Sequence, residues 1–191
     1  MNPSRLVALA LIGICWAAFL VKWLLFVRHS GRALVNTLQE LKTPHAWLFV
    51  VGLLLILATK VRIFGIQLVP PIVPVEAVSG IFCVAGLLVS LWAHLILMIV
   101  WSPTGMLDEG PALIAVGPYA YVRYPNHTAL LLLVGGSAIF VGSLGAMIGT
   151  TLCITSLWIS TLRKDVVMLT YFADSYTDYM ARVRRLVPFV I

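Results

Sequence analysis

Long apolar runs separated by short polar segments dominate the pattern of this chain. A helix that crosses a membrane needs roughly 20 apolar residues, and five stretches approach that length. They cover residues 6–27, 45–69, 75–101, 128–144 and 146–162. The pattern predicts an all-α integral membrane protein, a single membrane domain over residues 1–191 with about five transmembrane helices.

The second of these stretches is interrupted. It is continuously apolar to about residue 59, and Lys60 and Arg62 then precede a segment that contains Pro70 and Pro71. Charges inside the hydrocarbon region are expensive. Two paths therefore stay open: either the helix continues to about residue 69, or residues 63–74 fold back or lie at the membrane surface.

The last two stretches are joined by Gly142-Ser143-Leu144-Gly145. A connection this short predicts a tight antiparallel helical hairpin at the C-terminal end of the bundle. The small residues Gly145, Ala146 and Gly149 follow, and small residues let helix backbones approach closely.

Residues 163–185 predict an amphipathic tail helix after the last span. Its apolar residues recur every three or four positions; they are Val166, Leu169, Phe172, Tyr176, Tyr179 and Val183. Such a helix would lie along the membrane face, either as an anchor alone or as one wall of a binding site.

Composition supports the membrane class and the basic residues predict its orientation. Hydrophobic residues make up 61% of the chain and charged residues 10%, which excludes a soluble domain with a buried core. With five spans, nine basic residues fall on the side of the loop 102–127 and the C-terminus, and three on the other. The positive-inside rule places the first side in the cytoplasm and the N-terminus outside. The net charge of +6 then reflects topology and anionic lipid, and no nucleic-acid partner is expected.

Metal and disulfide chemistry find little support. Cys15, Cys83 and Cys153 lie inside predicted spans and lack the spacing of metal ligands, so we expect packed apolar residues. The acidic pair Asp108-Glu109 has no further ligand at a suitable spacing, and we expect no metal. His94 follows Ser90 by four residues, which predicts that it faces the bundle interior as a hydrogen-bonding or functional group.

One polar, aromatic segment stands directly before an apolar span. It reads Gly117-Pro118-Tyr119-Ala120-Tyr121-Val122-Arg123-Tyr124-Pro125-Asn126-His127. Its glycine and proline residues predict a turn. A polar loop held at a membrane surface is a suitable place for chemistry.

This loop and the tail together resemble a known family. The matching residues are Gly117-Pro118-Tyr119, Tyr121-Val122-Arg123 and Pro125-Asn126 in the loop, and Phe172, Tyr176, Tyr179-Met180, Arg182 and Arg185-Leu186-Val187-Pro188 in the tail. In this order around a membrane hairpin, they resemble the isoprenylcysteine carboxyl methyltransferase and phospholipid methyltransferase superfamily. The resemblance covers about residues 85–189.

The resemblance implies S-adenosylmethionine as cofactor and a lipid or lipophilic small molecule as methyl acceptor. It implies that the cofactor binds between the loop and the tail helix. The implied cofactor-binding residues are Gly117, Pro118, Tyr119, Tyr121, Arg123, Pro125 and Asp165, and the candidate catalytic residues are Arg123, Tyr124 and His127. Arg123 is the candidate cation for a carboxylate, and Asp165 the candidate acid for the ribose or the amino group.

The chain also departs from the family pattern. Where the family reads Arg-His-Pro-x-Tyr, this chain reads Arg123-Tyr124-Pro125-Asn126-His127, and Lys164-Asp165 stands in place of two glutamates. The Phe-Gly pair of the family tail is Phe172-Ala173. A carboxylate acceptor, which we favour, needs no general base, whereas a thiol or an amine would need His127 or Tyr124. As alternatives, His127 caps a helix that begins near residue 128 and Tyr124 is an interfacial anchor.

Two other functions stay open on the same residues. The departures from the pattern favour a non-catalytic membrane binding or scaffold protein. An NADPH-dependent lipid reductase is the third hypothesis, because membrane sterol reductases have a similar Arg-x-Pro-Asn loop.

Overall fold

A computed structural model describes residues 3–29, 39–40, 42–58, 64–100 and 113–187. Within these ranges the chain is all-α, as predicted, with no β-strand. Its helices are α1 (Pro3–His29), α2 (Pro44–Leu57), α3 (Val73–Val100), α4 (Pro125–Val141) and α5 (Leu144–Arg182), and a short 3-10 helix spans Gly117–Ala120.

Three of the described helices are long and apolar enough to cross a membrane. The suitable stretches are Pro3–Arg28, Val73–Met98 and Leu144–Arg182. The other two helices, α2 and α4, are apolar but shorter. The membrane class is therefore supported by length and composition, while the number of spans and the side on which each loop lies stay predictions.

The second helix ends at Leu57, so its predicted continuation to residue 69 is wrong. Residues 64–72 form a non-helical segment that lies against the start of α5. The amide of Gly145 donates to the Phe64 carbonyl at 2.9 Å, and the amide of Leu144 donates to the Ile66 carbonyl at 2.8 Å. The first amides of a helix have no partner within the helix, and this segment supplies carbonyls for them. Lys60 and Arg62 lie outside the described residues.

Glycines let two pairs of helices approach each other closely. In the α2–α5 pair, a Cβ on Gly52 would lie 2.5 Å from the carbonyl oxygen of Gly149. In the α3–α4 pair, a Cβ on Gly86 would lie 2.7 Å from the carbonyl oxygen of Ala129, and a Cβ on Gly136 would lie 2.7 Å from the Ser79 carbonyl oxygen. These are the two most extensive helix contacts in the described part of the chain.

The glycines of α5 pack against α2. The small size of Gly145 and Gly149 predicted a close approach of backbones, and the backbone that they approach is that of α2 and the segment after it, not that of α4. The short connection itself is as expected: Gly142 ends α4 with a left-handed φ of 65°, and the Ser143 side chain accepts the Ala146 amide as the N-cap of α5. The contact between α4 and α5 is less extensive than the contact of either with its glycine-packed partner.

The tail helix begins later than predicted. Residues 163–172 continue the last apolar helix, and α5 then kinks at Ala173, whose φ of 38° and ψ of −111° are not helical, so that a second, shorter helix follows to Arg182. The bend divides the predicted apolar stripe. Val166, before the bend, is 65% exposed, whereas Tyr176 and Tyr179, after it, are buried in a small cluster.

The helices α1 and α3 run parallel. Leu11 reaches Gly80 in the N-terminal halves of the two helices, and the Phe26 ring packs edge-on against the His94 ring in their C-terminal halves. His94 is thus partly buried against α1, which agrees with its predicted inward position. The three cysteines are buried, as predicted, and Cys15 and Cys83 belong to the core between these helices.

Candidate functional site

The loop that carries the motif is fixed to its surroundings by backbone contacts. Gly117 has a φ of 63°, and a Cβ added to it would lie 2.8 Å from Cγ1 of Ile96 on α3. Pro118 is buried in the 3-10 helix. The Tyr179 hydroxyl of α5 donates to the Tyr119 carbonyl at 2.6 Å. Glycine is therefore required where the loop turns against α3, and the tail holds the loop in place.

The loop and the tail meet directly. After α5 ends, the chain turns back beside the loop, and Val122 and Arg184 form a parallel bridge. The amide of Arg123 donates to the Arg184 carbonyl at 2.8 Å, and the amide of Tyr124 donates to the Arg185 carbonyl at 3.2 Å. The two sequence blocks that carry the family resemblance thus form one unit.

Asp165 lies at the centre of this unit. Its Oδ1 accepts hydrogen bonds from Arg123 Nη1 at 2.9 Å, from the Tyr124 hydroxyl at 2.7 Å and from the Tyr176 hydroxyl at 2.6 Å. Its Oδ2 accepts from Arg185 Nε at 3.0 Å and from Arg185 Nη2 at 2.8 Å. We call these five residues the Asp165 cluster. With Asp165 only 4% exposed, the cluster is a buried, charge-assisted network.

The roles expected for Arg123 and Asp165 must be revised. We expected them to bind opposite ends of a cofactor, but their side chains form an ion pair with 2.9 Å between the charged atoms. No ligand fits between atoms at that distance. Because a buried charge needs a partner, each residue satisfies the other, and Arg185 adds a second cation.

Tyr124 is neither a base nor a simple membrane anchor in this arrangement. Burial raises the pKa of its hydroxyl far above the usual value, and the hydrogen bonds with Tyr176 and Asp165 raise that pKa further. The phenol therefore stays protonated near neutral pH and donates a hydrogen bond to the Asp165 carboxylate. Of the two bases considered from the sequence, only His127 remains suitable.

His127 lies within the first turn of α4, which begins at Pro125, so it does not cap a helix that begins near residue 128. Its Nε2 atom lies 3.2 Å from Lys164 Nζ and 3.4 Å from Ser160 Oγ. Lys164 Nζ also lies 3.6 Å from Glu40 Oε1. Because an ammonium group only donates, the hydrogen bond with Lys164 requires an unprotonated Nε2 on His127.

Glu40, Ser160 and Lys164 were not identified as site residues from the sequence. Ser160 and Lys164 lie four residues apart on α5, and so on one face of that helix, whereas Glu40 comes from a distant part of the chain. Lys164 drew notice only because it replaces an acid of the family pattern. Its nearness to Glu40 and His127 is a consequence of helix packing, which the apolar pattern does not define.

A groove lies where the loop and the tail border each other. Its volume is about 420 Å³, and its lining residues are Ala120, Tyr121, Ala181, Arg182 and Arg184. Tyr121 is 56% exposed, and its ring lies 6.3 Å from the Trp92 ring. Two arginines and an exposed aromatic ring can hold a ligand that carries an anionic group and a flat ring. Among the implied cofactor-binding residues, Tyr121 alone lines this groove, and Arg184 was not predicted.

Metal binding finds no support in the described ranges, where no group of three His, Cys, Asp or Glu side chains could hold an ion. Asp108 and Glu109 lie outside those ranges.

Comparison with protein-family profiles gives no match for this chain, and a search of curated proteins finds no similar sequence. The family resemblance therefore stays a prediction from the motif residues.

Proposed function

We propose that this protein transfers a methyl group from S-adenosylmethionine to a lipophilic or membrane-embedded acceptor, with a carboxylate as the favoured acceptor. One observation carries the proposal. The loop and the tail, whose residues resemble the methyltransferase superfamily, are joined through the Asp165 cluster and border a common groove.

The groove is the proposed cofactor site. Arg182 and Arg184 are the cations for the carboxylate of S-adenosylmethionine, and Tyr121 offers a ring on which the adenine stacks. Arg123, Tyr124 and Asp165 then act as positioning residues that hold the loop against the tail. Methyl transfer from a sulfonium is an in-line displacement, so correct positioning is the main requirement and is worth roughly 7–11 kcal/mol of the barrier.

The state of Tyr124 favours the carboxylate acceptor. A carboxylate is already ionised near neutral pH and attacks without a base. Tyr124 is excluded as a base by its hydrogen bond to Asp165, and His127 Nε2 is occupied by Lys164. A thiol or an amine acceptor would require His127 to break that hydrogen bond first.

Cofactor binding is tested by isothermal titration of S-adenosylmethionine into the detergent-purified protein. We expect saturable binding that Arg184→Ala weakens at least tenfold, because Arg184 lines the groove and the variant loses the charge-assisted hydrogen bond to the cofactor carboxylate. The Arg184 side chain is exposed, so the variant should fold. Arg28→Ala is the matched control, since Arg28 is an exposed arginine at the end of α1. Equal affinity of the two variants for S-adenosylmethionine contradicts the assignment of the groove as the cofactor site. If the wild type does not bind S-adenosylmethionine, the proposed cofactor is wrong.

The orientation is part of the proposal. The excess of basic residues places the groove and the C-terminus in the cytoplasm, and five spans give the N-terminus the opposite side. A Ser175→Cys variant adds a thiol at an exposed position of the tail, whereas the natural cysteines are buried. A membrane-impermeant maleimide should label it in inside-out vesicles and not in right-side-out vesicles.

A non-catalytic membrane binding or scaffold protein is the second candidate, and the Arg123–Asp165 ion pair favours it. Two charges that satisfy each other need no ligand. Incubation of the protein with membrane lipid extracts and isotope-labelled S-adenosylmethionine separates the two candidates. Any labelled lipid product that requires the protein excludes the scaffold. In the same titration series, binding of NADPH without binding of S-adenosylmethionine would support the lipid reductase instead.

A further inference from the structure

A lysine inside the first apolar helix points into the bundle. Lys22 lies seven residues before the end of α1, about 10 Å along the helix axis. A lysine at such a depth ordinarily extends its side chain to the membrane surface. Lys22 instead directs its ammonium group to Ser90 of α3, a residue with no exposed surface.

The polar groups around this ammonium are neutral. Lys22 Nζ donates to Ser90 Oγ, to the Ser90 carbonyl at 3.4 Å and to Asn126 Oδ1 at 3.3 Å. The Phe19 ring lies 4.8 Å away and offers only its π face. Asn126 is in the first turn of α4, whose N-terminal end has a positive partial charge. None of these groups neutralises the charge of Lys22.

Each acidic residue that the structure describes either pairs with another group or lies far from Lys22. Glu40 lies beside His45 and Lys164, and Asp165 is bound by two arginines. Glu76 is fourteen residues before Ser90 on α3, about 21 Å along the axis. Asp174 and Asp178 are exposed on the tail. In the described part of the chain, the ammonium of Lys22 therefore has no acidic counter-ion. Its hydrogen bonds go to neutral oxygens, which hold the charge inside the bundle without neutralising it.

We propose that the Lys22–Ser90–Asn126 cluster, formed where α1, α3 and α4 meet, binds the carboxylate of an amphiphile dissolved in the membrane. Lys22 is only partly buried, and Val21 and Leu24 beside it are exposed, so this stretch of α1 is open to contact with a lipid-like molecule. The single positive charge matches the single negative charge of a carboxylate. The Ser90 hydroxyl and the Asn126 amide are further donors once they turn toward it.

This site would present an acceptor to the motif loop. Asn126 directly follows Pro125 and lies two residues after Tyr124 of the Asp165 cluster. The view that the bound carboxylate is the methyl acceptor rests on the proposed function, whereas the carboxylate site does not depend on it.

The test compares palmitate with its methyl ester in thermal unfolding of the detergent-purified full chain, without S-adenosylmethionine. The ester has the same acyl chain and no charge. We expect palmitate to raise the unfolding temperature in a saturable manner and the ester to leave it unchanged. Equal effects of the two overturn the proposal, because apolar contact alone would then explain the binding. This outcome is independent of whether methyl transfer occurs.

Variants locate the site. Lys22→Met removes the charge and keeps the length of the side chain, and it should weaken palmitate binding at least tenfold, whereas Lys22→Arg should retain it. Lys42→Met is the matched control at an exposed lysine, and it should bind palmitate as the wild type does. Unchanged binding by Lys22→Met overturns the assignment.

Two further arms separate other sources of negative charge. Acetate and inorganic phosphate carry the charge without a chain, and phosphatidic acid carries a phosphate on a lipid. We expect each of them to raise the unfolding temperature less than palmitate does. Stronger binding of phosphatidic acid than of palmitate would overturn the proposal that the site takes a carboxylate. Asp108→Asn combined with Glu109→Gln tests the loop acids outside the described residues. If palmitate binds only after this change, those acids are the natural counter-ion and the proposal fails.

Discussion

Replacing Asp165 by asparagine removes the negative charge that Arg123 and Arg185 share while it keeps the shape of the side chain. The side chains of Arg123 and Arg185 are 8% and 16% exposed, so water can hardly replace the carboxylate. Breaking a buried ion pair by removing one partner costs about 3–5 kcal/mol. The asparagine oxygen still accepts from a tyrosine, but its NH₂ group faces an arginine that only donates. We therefore expect the free energy of unfolding to fall by about 3–5 kcal/mol.

Unfolding of the purified protein in mixed micelles of increasing SDS content, followed by tryptophan fluorescence, measures this loss. Trp158 is a suitable reporter because the Arg185 guanidinium stacks 4.7 Å from the centre of its ring. Asp178→Asn is the control: it removes an exposed carboxylate from the same helix, and we expect a change within about 0.5 kcal/mol. If Asp165→Asn costs less than about 1 kcal/mol and no more than the control, the cluster does not hold the loop to the tail.

Three further predictions concern packing, backbone and pH. Gly149→Ala should destabilise the protein by about 1–3 kcal/mol, because the added Cβ would clash with the α2 backbone. Gly13→Ala is the control: a Cβ there has no neighbour within 4 Å, so in the same unfolding assay it should stabilise α1 or leave it unchanged. Ala173→Gly should raise the free energy of unfolding by about 1 kcal/mol, since φ 38° with ψ −111° is a conformation that glycine adopts with less strain; a loss of stability would contradict the bend. Burial raises the pKa of Tyr119 to about 12. As the pH rises above about 10, the Tyr119 hydroxyl ionises in the unfolded chain but not in the folded one, so the free energy of unfolding should fall between about pH 10 and pH 12. In pH-dependent thermal unfolding, the stability of the Tyr119→Phe variant should fall less steeply than that of the wild type over this range, and identical slopes would show that the phenol is not buried.

The candidate site was predictable in its parts but not in its connections. The motif residues Arg123 and Tyr124 and the tail residue Asp165 were all selected from the sequence as site residues. Their type and order gave the signal. From the sequence we expected the two charged groups to contact a ligand, whereas the structure pairs them with each other at 2.9 Å. An ion pair between residues 42 positions apart has no local signature.

The groove and the Lys22 cluster show the same limit. In the sequence, Arg184 is one of several basic residues at the end of the chain, and Lys22 is a charge inside the first apolar stretch. We propose a role for each only because a distant segment brings an exposed tyrosine beside Arg184 and a buried serine beside Lys22.

The sequence by itself determined the all-α class, the apolar character of the helices and the position of the turn between α4 and α5. These properties depend on local causes, which are the length of the apolar runs and the conformational freedom of residues such as Gly142. Tertiary structure alone decided which helix faces the glycines of α5, where α2 stops, and how Arg123 and Asp165 are paired. These properties depend on close approach between distant segments. Packing decides which backbone fills the space beside a glycine and which group pairs with a buried charge.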